Sequence, residues 1–293
     1  MIIVEIVGGL ANQMVIYAAA RALAEKNADT LALDLNTLRK DRIRKFELHK
    51  LSMDLRIATE EEIARVRRKL SNPAADRLKE KIFRKLGIRR PYIYEEPYSG
   101  YDANFFRLSG DVYIKGNFAS RRYFESIEPL LHREFRFRGE MSPRTREYER
   151  TLREGTSVGI HVRRGDYATN PHTRKFHGLI GVEYYSEAMK VLEERVGDPV
   201  YHVFSDDLDW ARENLKSRAP MRFVDHTDAE TSHEDMYLMS RCSHYILGNS
   251  GFGFWGAWMN TGEGKIVIAP KRWCADDSFN RVFDLPPPDW IRI

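Results

Sequence analysis

The run Ser157-Val158-Gly159-Ile160-His161-Val162 is short, apolar and rich in β-branched residues, the composition of a buried strand. It stops at Arg163-Arg164-Gly165-Asp166. Two adjacent guanidinium groups at the tip of a strand repel each other unless an anion lies between them. Their planar forks match the oxygens of a phosphate. Gly165 then lets the backbone turn sharply, and Asp166 is placed to brace Arg164 or to take a proton. A structural arginine–aspartate pair at a strand end accounts for the same residues, so the rest of the chain has to decide.

The second half of the chain repeats the device of an apolar strand that ends in a polar turn before a helix. Val200–Phe204 stops at Ser205-Asp206-Asp207, ahead of a helix from Leu208 to Leu215. His244–Gly248 stops at Asn249-Ser250-Gly251-Phe252, ahead of an aromatic helix. Shorter strands are expected at Met221–Val224 and Lys265–Ala269, with helices at Val182–Val196 and Glu234–Arg241. This alternation predicts an α/β fold with a parallel sheet. Turns of this kind line one edge of such a sheet, where ligands bind. His161–Asp166, Ser205–Asp207 and Asn249–Phe252 are therefore expected to meet in one crevice. Arg163 and Arg164 suit a diphosphate, and fixed guanidinium groups stabilise charge that grows on a leaving group. His161 is a hydrogen-bonding partner for a base or ribose, or a satisfied core residue. Ser205-Asp206-Asp207 also reads as a helix cap. Asp207-Leu208-Asp209 spells a metal–diphosphate pattern, but Asp209 falls inside the helix and the arginines already supply positive charge. No metal is expected. Asn249 and Ser250 precede a helix N-terminus that could receive a phosphate. Phe254, Trp255 and Trp258 read as helix-packing residues.

The first half opens as βαβ: a strand Ile2–Val7, then Gly8-Gly9-Leu10-Ala11-Asn12-Gln13, a helix to about Lys26, and a strand Thr30–Leu35. Gly8-Gly9 does not complete a dinucleotide fingerprint, although Asp34 stands where a ribose-binding acid would be. A nicotinamide site is the last-ranked alternative. The preferred reading is that Gly9 lets a ligand approach the backbone, with Asn12 and Gln13 as amide donors at the helix N-terminus. Residues 59–90 read as basic helices. Ile63, Val66 and Leu70 form one apolar stripe, Pro73 breaks it, and Leu78, Ile82, Phe83 and Leu86 form a second. Arg65, Arg67, Arg68, Lys79, Lys81, Lys85 and further cations lie between them. The plain reading is a solvated face, and the sharper one is contact with an anionic membrane surface or a lipid-linked acceptor. Tyr92–Tyr101 reads as loop, Val112–Gly116 as strand and Tyr123–Phe135 as helix. A charged helix over Glu140–Arg153 starts near Ser142-Pro143. A domain boundary is placed after residue 154, giving domains 1–154 and 155–293.

Composition narrows the class. The 293 residues are 42% hydrophobic, enough for one large or two mid-sized domains. A formal net charge of +4 gives no argument for nucleic acid. Cys242 and Cys274 are the two cysteines, without metal-ligand spacing, and are expected as reduced thiols. No secretory signal or membrane-spanning run is legible, so the expected location is cytoplasmic, with the basic helices as the place for any peripheral contact with the inner membrane surface.

Taken together these residues resemble the bacterial and animal α-1,2-fucosyltransferases, glycosyltransferase family 11. The motifs that carry the resemblance run in the family's order. They are Gly8–Met14, His161–Tyr167, Phe204-Ser205-Asp206-Asp207-Leu208-Asp209-Trp210 and Asn249–Trp258, with Tyr184-Tyr185 and Pro270-Lys271-Arg272-Trp273 in support. Residues 55 to 110 show no match. The resemblance implies a GT-B-like fold, two Rossmann-type domains with parallel sheets facing a central cleft. It implies an inverting transfer of L-fucose from GDP-β-L-fucose to the 2-hydroxyl of a terminal galactose, without metal or other cofactor. Carried over, Arg163 and Arg164 sit on the donor diphosphate with Asp166 as the candidate base. His161, Asp206 and Asp207 lie toward the nucleoside, beside Ser205. Asn249, Ser250 and Phe252 line the donor pocket, while Gly9, Asn12 and Gln13 reach it from the other domain. The chain departs from the family pattern at Ala11, Val15-Ile16, Gly251, Gly253 and Phe254, and in the loop Phe176–Ile180. These departures bear on acceptor choice more than on the donor. Transfer of another GDP-sugar, another linkage such as α-1,6, and a non-catalytic nucleotide-sugar binding protein are the alternatives.

Overall fold

The apolar N-terminal run forms β1 (Ile2–Glu5), and α1 (Leu10–Asn27) returns the chain to a parallel neighbour, β2 (Leu31–Asp34). The computed structural model describes residues 1–68, 72–86, 92–97, 100–228 and 230–293. The chain divides into two units, Met1–Arg136 and Phe137–Ile293.

In the first unit, α2 (Glu60–Val66) and α3 (Pro73–Lys85) are followed by β3 (Ile93–Glu95), β4 (Val112–Lys115) and α4 (Glu128–Glu134). The sheet runs β2-β1-β4-β3 and every pairing is parallel. α1 is buried on most of its circumference, Val15 and Ile16 included. Those two residues are core. α2 begins with a capping box, Thr59 receiving the Glu62 amide while the Glu62 side chain receives that of Thr59. Its Ile63 and Val66 pack with Ile3, Ala32 and Tyr113. Leu70 lies outside the described residues. The expected loop at Tyr92–Tyr101 contains a strand, because three residues suffice to pair with β4 at an edge. The expected helix Tyr123–Phe135 is broken into single turns at Arg121–Tyr123 and Glu125–Ile127 before α4, where Pro129 fits the first helical turn.

The second unit begins with α5 (Pro143–Thr151), capped by Ser142, and β5 (Thr156–Val162). Then come α6 (Gly165–Thr169), α7 (Pro171–His177), α8 (Val182–Glu193), β6 (Pro199–Ser205), α9 (Leu208–Asn214) and β7 (Met221–Phe223). α10 (Ser232–Met239), β8 (His244–Leu247), α11 (Gly251–Met259), β9 (Val267–Ala269), α12 (Asp277–Asn280) and β10 (Ile291–Arg292) complete it. The boundary expected after residue 154 falls inside this unit. α5 is bound to it because Glu234 of α10 accepts hydrogen bonds from the Ser142 amide, the Ser142 hydroxyl and the Thr145 hydroxyl at 2.9, 2.7 and 2.5 Å.

All pairings of the second sheet are parallel, in the order β10-β9-β8-β5-β6-β7. The first strand of the unit therefore lies in the middle. The chain winds outward through β6 and β7, then returns to build β8, β9 and β10 on the other side. This is the doubly wound order with its switch point between β5 and β8. Val158, Ile160 and Val162 face α8 and α9 across one core. His161, one residue out of phase, faces α11 instead, where Phe254, Trp255 and Trp258 are buried as expected. Among the described residues no helix is long and apolar enough to cross a membrane.

Candidate active site

Register brings the three predicted turns level. Val162 pairs with Ser205 and His161 with Leu247, so the chain leaves β5, β6 and β8 at one carboxyl edge. Arg163 and Arg164 follow β5, Asp206 and Asp207 follow β6, and Asn249 and Ser250 follow β8. This is the edge and the switch point where doubly wound sheets bind ligands.

Both arginines are held by carboxylates. Arg163 donates from Nη2 to Asp166 Oδ1 at 2.6 Å and pairs through Nη1 with Asp206 Oδ2 at 2.8 Å. Its guanidinium lies 5.3 Å from the Tyr167 ring centroid. Arg164 donates from Nε to Asp207 Oδ2 at 3.2 Å and stacks 4.0 Å over the Trp210 ring. Asp206 Oδ1 also accepts the backbone amides of Arg164 and Gly165, at 2.8 and 3.1 Å. Each guanidinium keeps uncommitted N–H donors after these bonds.

Several expectations change in detail. Asp166 braces Arg163, not Arg164, because α6 carries it back over the first arginine. Gly165 does not occupy the left-handed region. Its requirement is space, since a Cβ there would stand 2.4 Å from Asp206 Oδ2. Asp206 and Asp207, expected toward the nucleoside, spend their oxygens on the arginines and on backbone amides. Asp207 also caps α9, accepting the Trp210 amide at 3.1 Å. Ser205 supports it by accepting the Asp207 amide at 2.9 Å.

His161 is buried, and its ring stacks on Phe252 at 5.6 Å and 26°. Burial, with the Arg163 charge close by, pushes its imidazole down to about 3, so it is neutral at physiological pH. Its Nδ1 is buried without a partner among the described residues. Asn249 is 1% exposed and its Nδ2 donates to the backbone carbonyls of His177 and Trp273, at 2.9 and 3.0 Å. That ties the end of α7 to the chain beyond β9. Ser250 caps α11 by accepting the Phe252 amide at 3.2 Å. Tyr167 and His177 form a pair that the sequence does not announce. Their rings stack at 4.4 Å and 7°, and burial lowers the His177 imidazole below its ordinary value. No local pattern links residues that meet only through the fold of α6 and α7.

In the first unit the glycine-rich turn is built around Gly8, whose φ of +77° lies in the left-handed region. Gly9 needs no such freedom, and a Cβ there would make ordinary contact with Arg44. Gln13 is fully buried, its Nε2 donating to the Gly8 and Lys45 carbonyls at 2.8 and 2.7 Å while Oε1 accepts the Glu47 amide at 2.9 Å. Its amide is therefore used inside the protein. Asn12 is exposed. The N-terminus of α1 already holds an anion, the Glu47 carboxylate, which accepts the Leu10 amide at 3.2 Å. Asp34 accepts the Tyr113 hydroxyl on one oxygen and the Asn36 amide on the other, at 2.7 and 2.8 Å. Cys242 and Cys274 are buried and unpaired. Among the described residues no group of three or more His, Cys, Asp or Glu is placed to hold a metal ion.

The description of glycosyl transferase family 11 matches this chain over residues 1–293. The chain belongs to that family. Family 11 relatives from Escherichia coli include the O-antigen biosynthesis glycosyltransferase WbnK, 31% identical over 98% of each chain. An alpha-1,2-colitosyltransferase of the same organism is 30% identical over 100% of this chain and 98% of its own. A galactoside alpha-(1,2)-fucosyltransferase 1 from Aotus azarae is 29% identical over 63% of this chain and 53% of its own. Among solved structures, the NodZ alpha-1,6-fucosyltransferase soaked with GDP-fucose superposes with a TM-score of 0.51 at 16% identity, over 88% of this chain and 92% of that one. The family 11 chain thus shares the fold of a fucosyltransferase, and its activity is that of a glycosyltransferase.

Proposed function

We propose that this family 11 glycosyltransferase moves L-fucose from GDP-β-L-fucose to the 2-hydroxyl of a terminal galactose with inversion, giving an α-1,2 linkage. The observation that carries the reading is the pair of guanidinium groups pinned by Asp166, Asp206 and Asp207 at the carboxyl edge of β5. In the proposed step the acceptor 2-hydroxyl oxygen forms a bond to the anomeric carbon and gives up its proton to the departing diphosphate or to water. The bond from that carbon to the diphosphate breaks, and its electron pair leaves with GDP. Charge grows on the departing phosphate, where fixed guanidinium groups act most strongly. Arg163 and Arg164 supply the positive charge there, so the proposed reaction needs no metal. In this reading the neutral His161, backed by Phe252, supplies a hydrogen-bonding ring for the nucleoside. Asp166 is assigned to holding Arg163.

The names of the relatives support α-1,2 transfer of a deoxyhexose, and one of them favours a second donor. Colitose is L-fucose without its 3-hydroxyl, so a colitosyl donor presents the same diphosphate and the same anomeric centre. The test is GDP release from GDP-fucose, its 3-deoxy analogue and GDP-mannose across a panel of β-galactosides, followed by linkage analysis. Turnover with GDP-fucose, an α-1,2 product and no loss of rate in EDTA are expected. Turnover with the 3-deoxy donor alone selects the second reading. GDP binding without turnover on any acceptor makes the chain a binding protein and sinks the proposal.

A further inference from the structure

The second apolar stripe of the basic region is not core. Leu78, Ile82 and Leu86 are 58%, 44% and 65% exposed, while Phe83 on another face of α3 is partly buried. The three residues recur every four positions, so they form one row along the helix surface. Leu86 belongs to the row because its amide still donates to the Ile82 carbonyl, at 2.9 Å. Lys81 and Lys85 stand three positions after Leu78 and Ile82, directly beside the row, and both are exposed, as is Arg77 one residue before it. A solvated helix has no use for an apolar row of this length, and a protein-facing one has no use for a cationic border that is itself exposed.

From this arrangement we propose that α3 is a docking surface for an anionic lipid bilayer, lying in the plane of the interface with Leu78, Ile82 and Leu86 among the acyl chains. Lys81, Lys85 and Arg77 then meet the headgroups. An apolar face bordered by lysine and arginine is what an interfacial helix requires, because apolar insertion and attraction to anionic lipid add. Charge complementarity chooses this occupant. A polyanion such as nucleic acid would pair with the cations and leave the apolar row in water. A second copy of the chain would bring the same cations against each other. The surface lies in the first unit and makes no use of the arginine pair, so the proposal stands independently of the donor.

The experiment is co-sedimentation of the full chain with vesicles of phosphatidylcholine alone and of phosphatidylcholine with a quarter phosphatidylglycerol, at low and at high salt. The chain is expected to partition onto the anionic vesicles and to be released by salt. Replacing Lys81 and Lys85 by glutamate should weaken that partitioning by roughly 20-fold or more, since each cation near such a surface is worth about 5-fold. Leu78→Ser, Ile82→Ser and Leu86→Ser together should weaken it without altering circular dichroism or GDP binding, because all three side chains stand in solvent. Equal binding to both vesicle types, or an unchanged partition for the triple serine variant, would overturn the proposal. Binding that is lost in the lysine variant and kept in the serine variant would mean a general polyanion surface, and the proposal would be wrong.

Discussion

Asp206 holds three groups at once: the Arg163 guanidinium and the amides of Arg164 and Gly165. Such a brace fixes the arginines before any ligand arrives, so little side-chain freedom is left to lose on binding. Gly165→Ala tests the brace without touching a charge. The added methyl must displace the Asp206 carboxylate, and GDP affinity measured by calorimetry should fall roughly tenfold, or about 1.4 kcal/mol. Wild-type affinity in that variant would show that the clamp does not depend on Asp206. Asp166→Asn separates bracing from proton transfer. The amide oxygen can still receive Arg163, so kcat should stay within about tenfold of wild type, whereas removing a general base costs about 100-fold or more. Arg164→Lys keeps the charge and loses the fork, and its kcat should fall about 100-fold.

At the scale of elements, the joint between α5 and α10 is centred on the Glu234 carboxylate, and Tyr237 of α10 also donates to Glu149 of α5 at 2.9 Å. Glu234 is buried, and burial alone would raise its pKa. The hydrogen bonds from Thr145 and Ser142 outweigh that and hold it below the ordinary glutamate value. Glu234→Ala should cost about 3 kcal/mol in urea unfolding, because it also strands the donors of Ser142 and Thr145. An unchanged midpoint would mean that α5 is held by packing and the Tyr237–Glu149 bond instead. This joint also explains a limit of the sequence. The Ser142-Pro143 cap that starts α5 is local and legible, but its partner lies 92 residues away in the chain. The strands β5, β6 and β8 and their terminal turns were legible for the opposite reason. Their apolar runs and polar stops are written in consecutive residues, and the parallel register then follows from the alternation with helices. The roles of Gln13, Asn249 and Asp206 were not legible, because an amide or carboxylate beside a glycine looks the same whether it meets a ligand or the protein's own backbone.

The whole molecule carries buried imidazoles that make its stability depend on pH. Burial lowers His161 to about 3 and His202 to about 4, the latter with its Nδ1 3.0 Å from the Tyr148 hydroxyl. As pH falls below about 6.5 the unfolded chain gains protons that the folded chain refuses, so stability is lost on acidification until the folded values are reached. Each such imidazole adds a slope of at most about 1.4 kcal/mol per pH unit in that window. His202→Gln keeps a partner for Tyr148 and cannot titrate, so urea midpoints at pH 5 and pH 7 should lie closer together than in wild type. The order of the second sheet has a further consequence, for synthesis. β5 leaves the ribosome first, and β6 and β7 can join one side of it early. The other side, Val158 to His161, stays bare until His244–Leu247 has emerged. A nascent chain stalled after α10 would present an apolar strand with unmet amides to every neighbouring copy, and aggregation of such truncated chains should begin along that border.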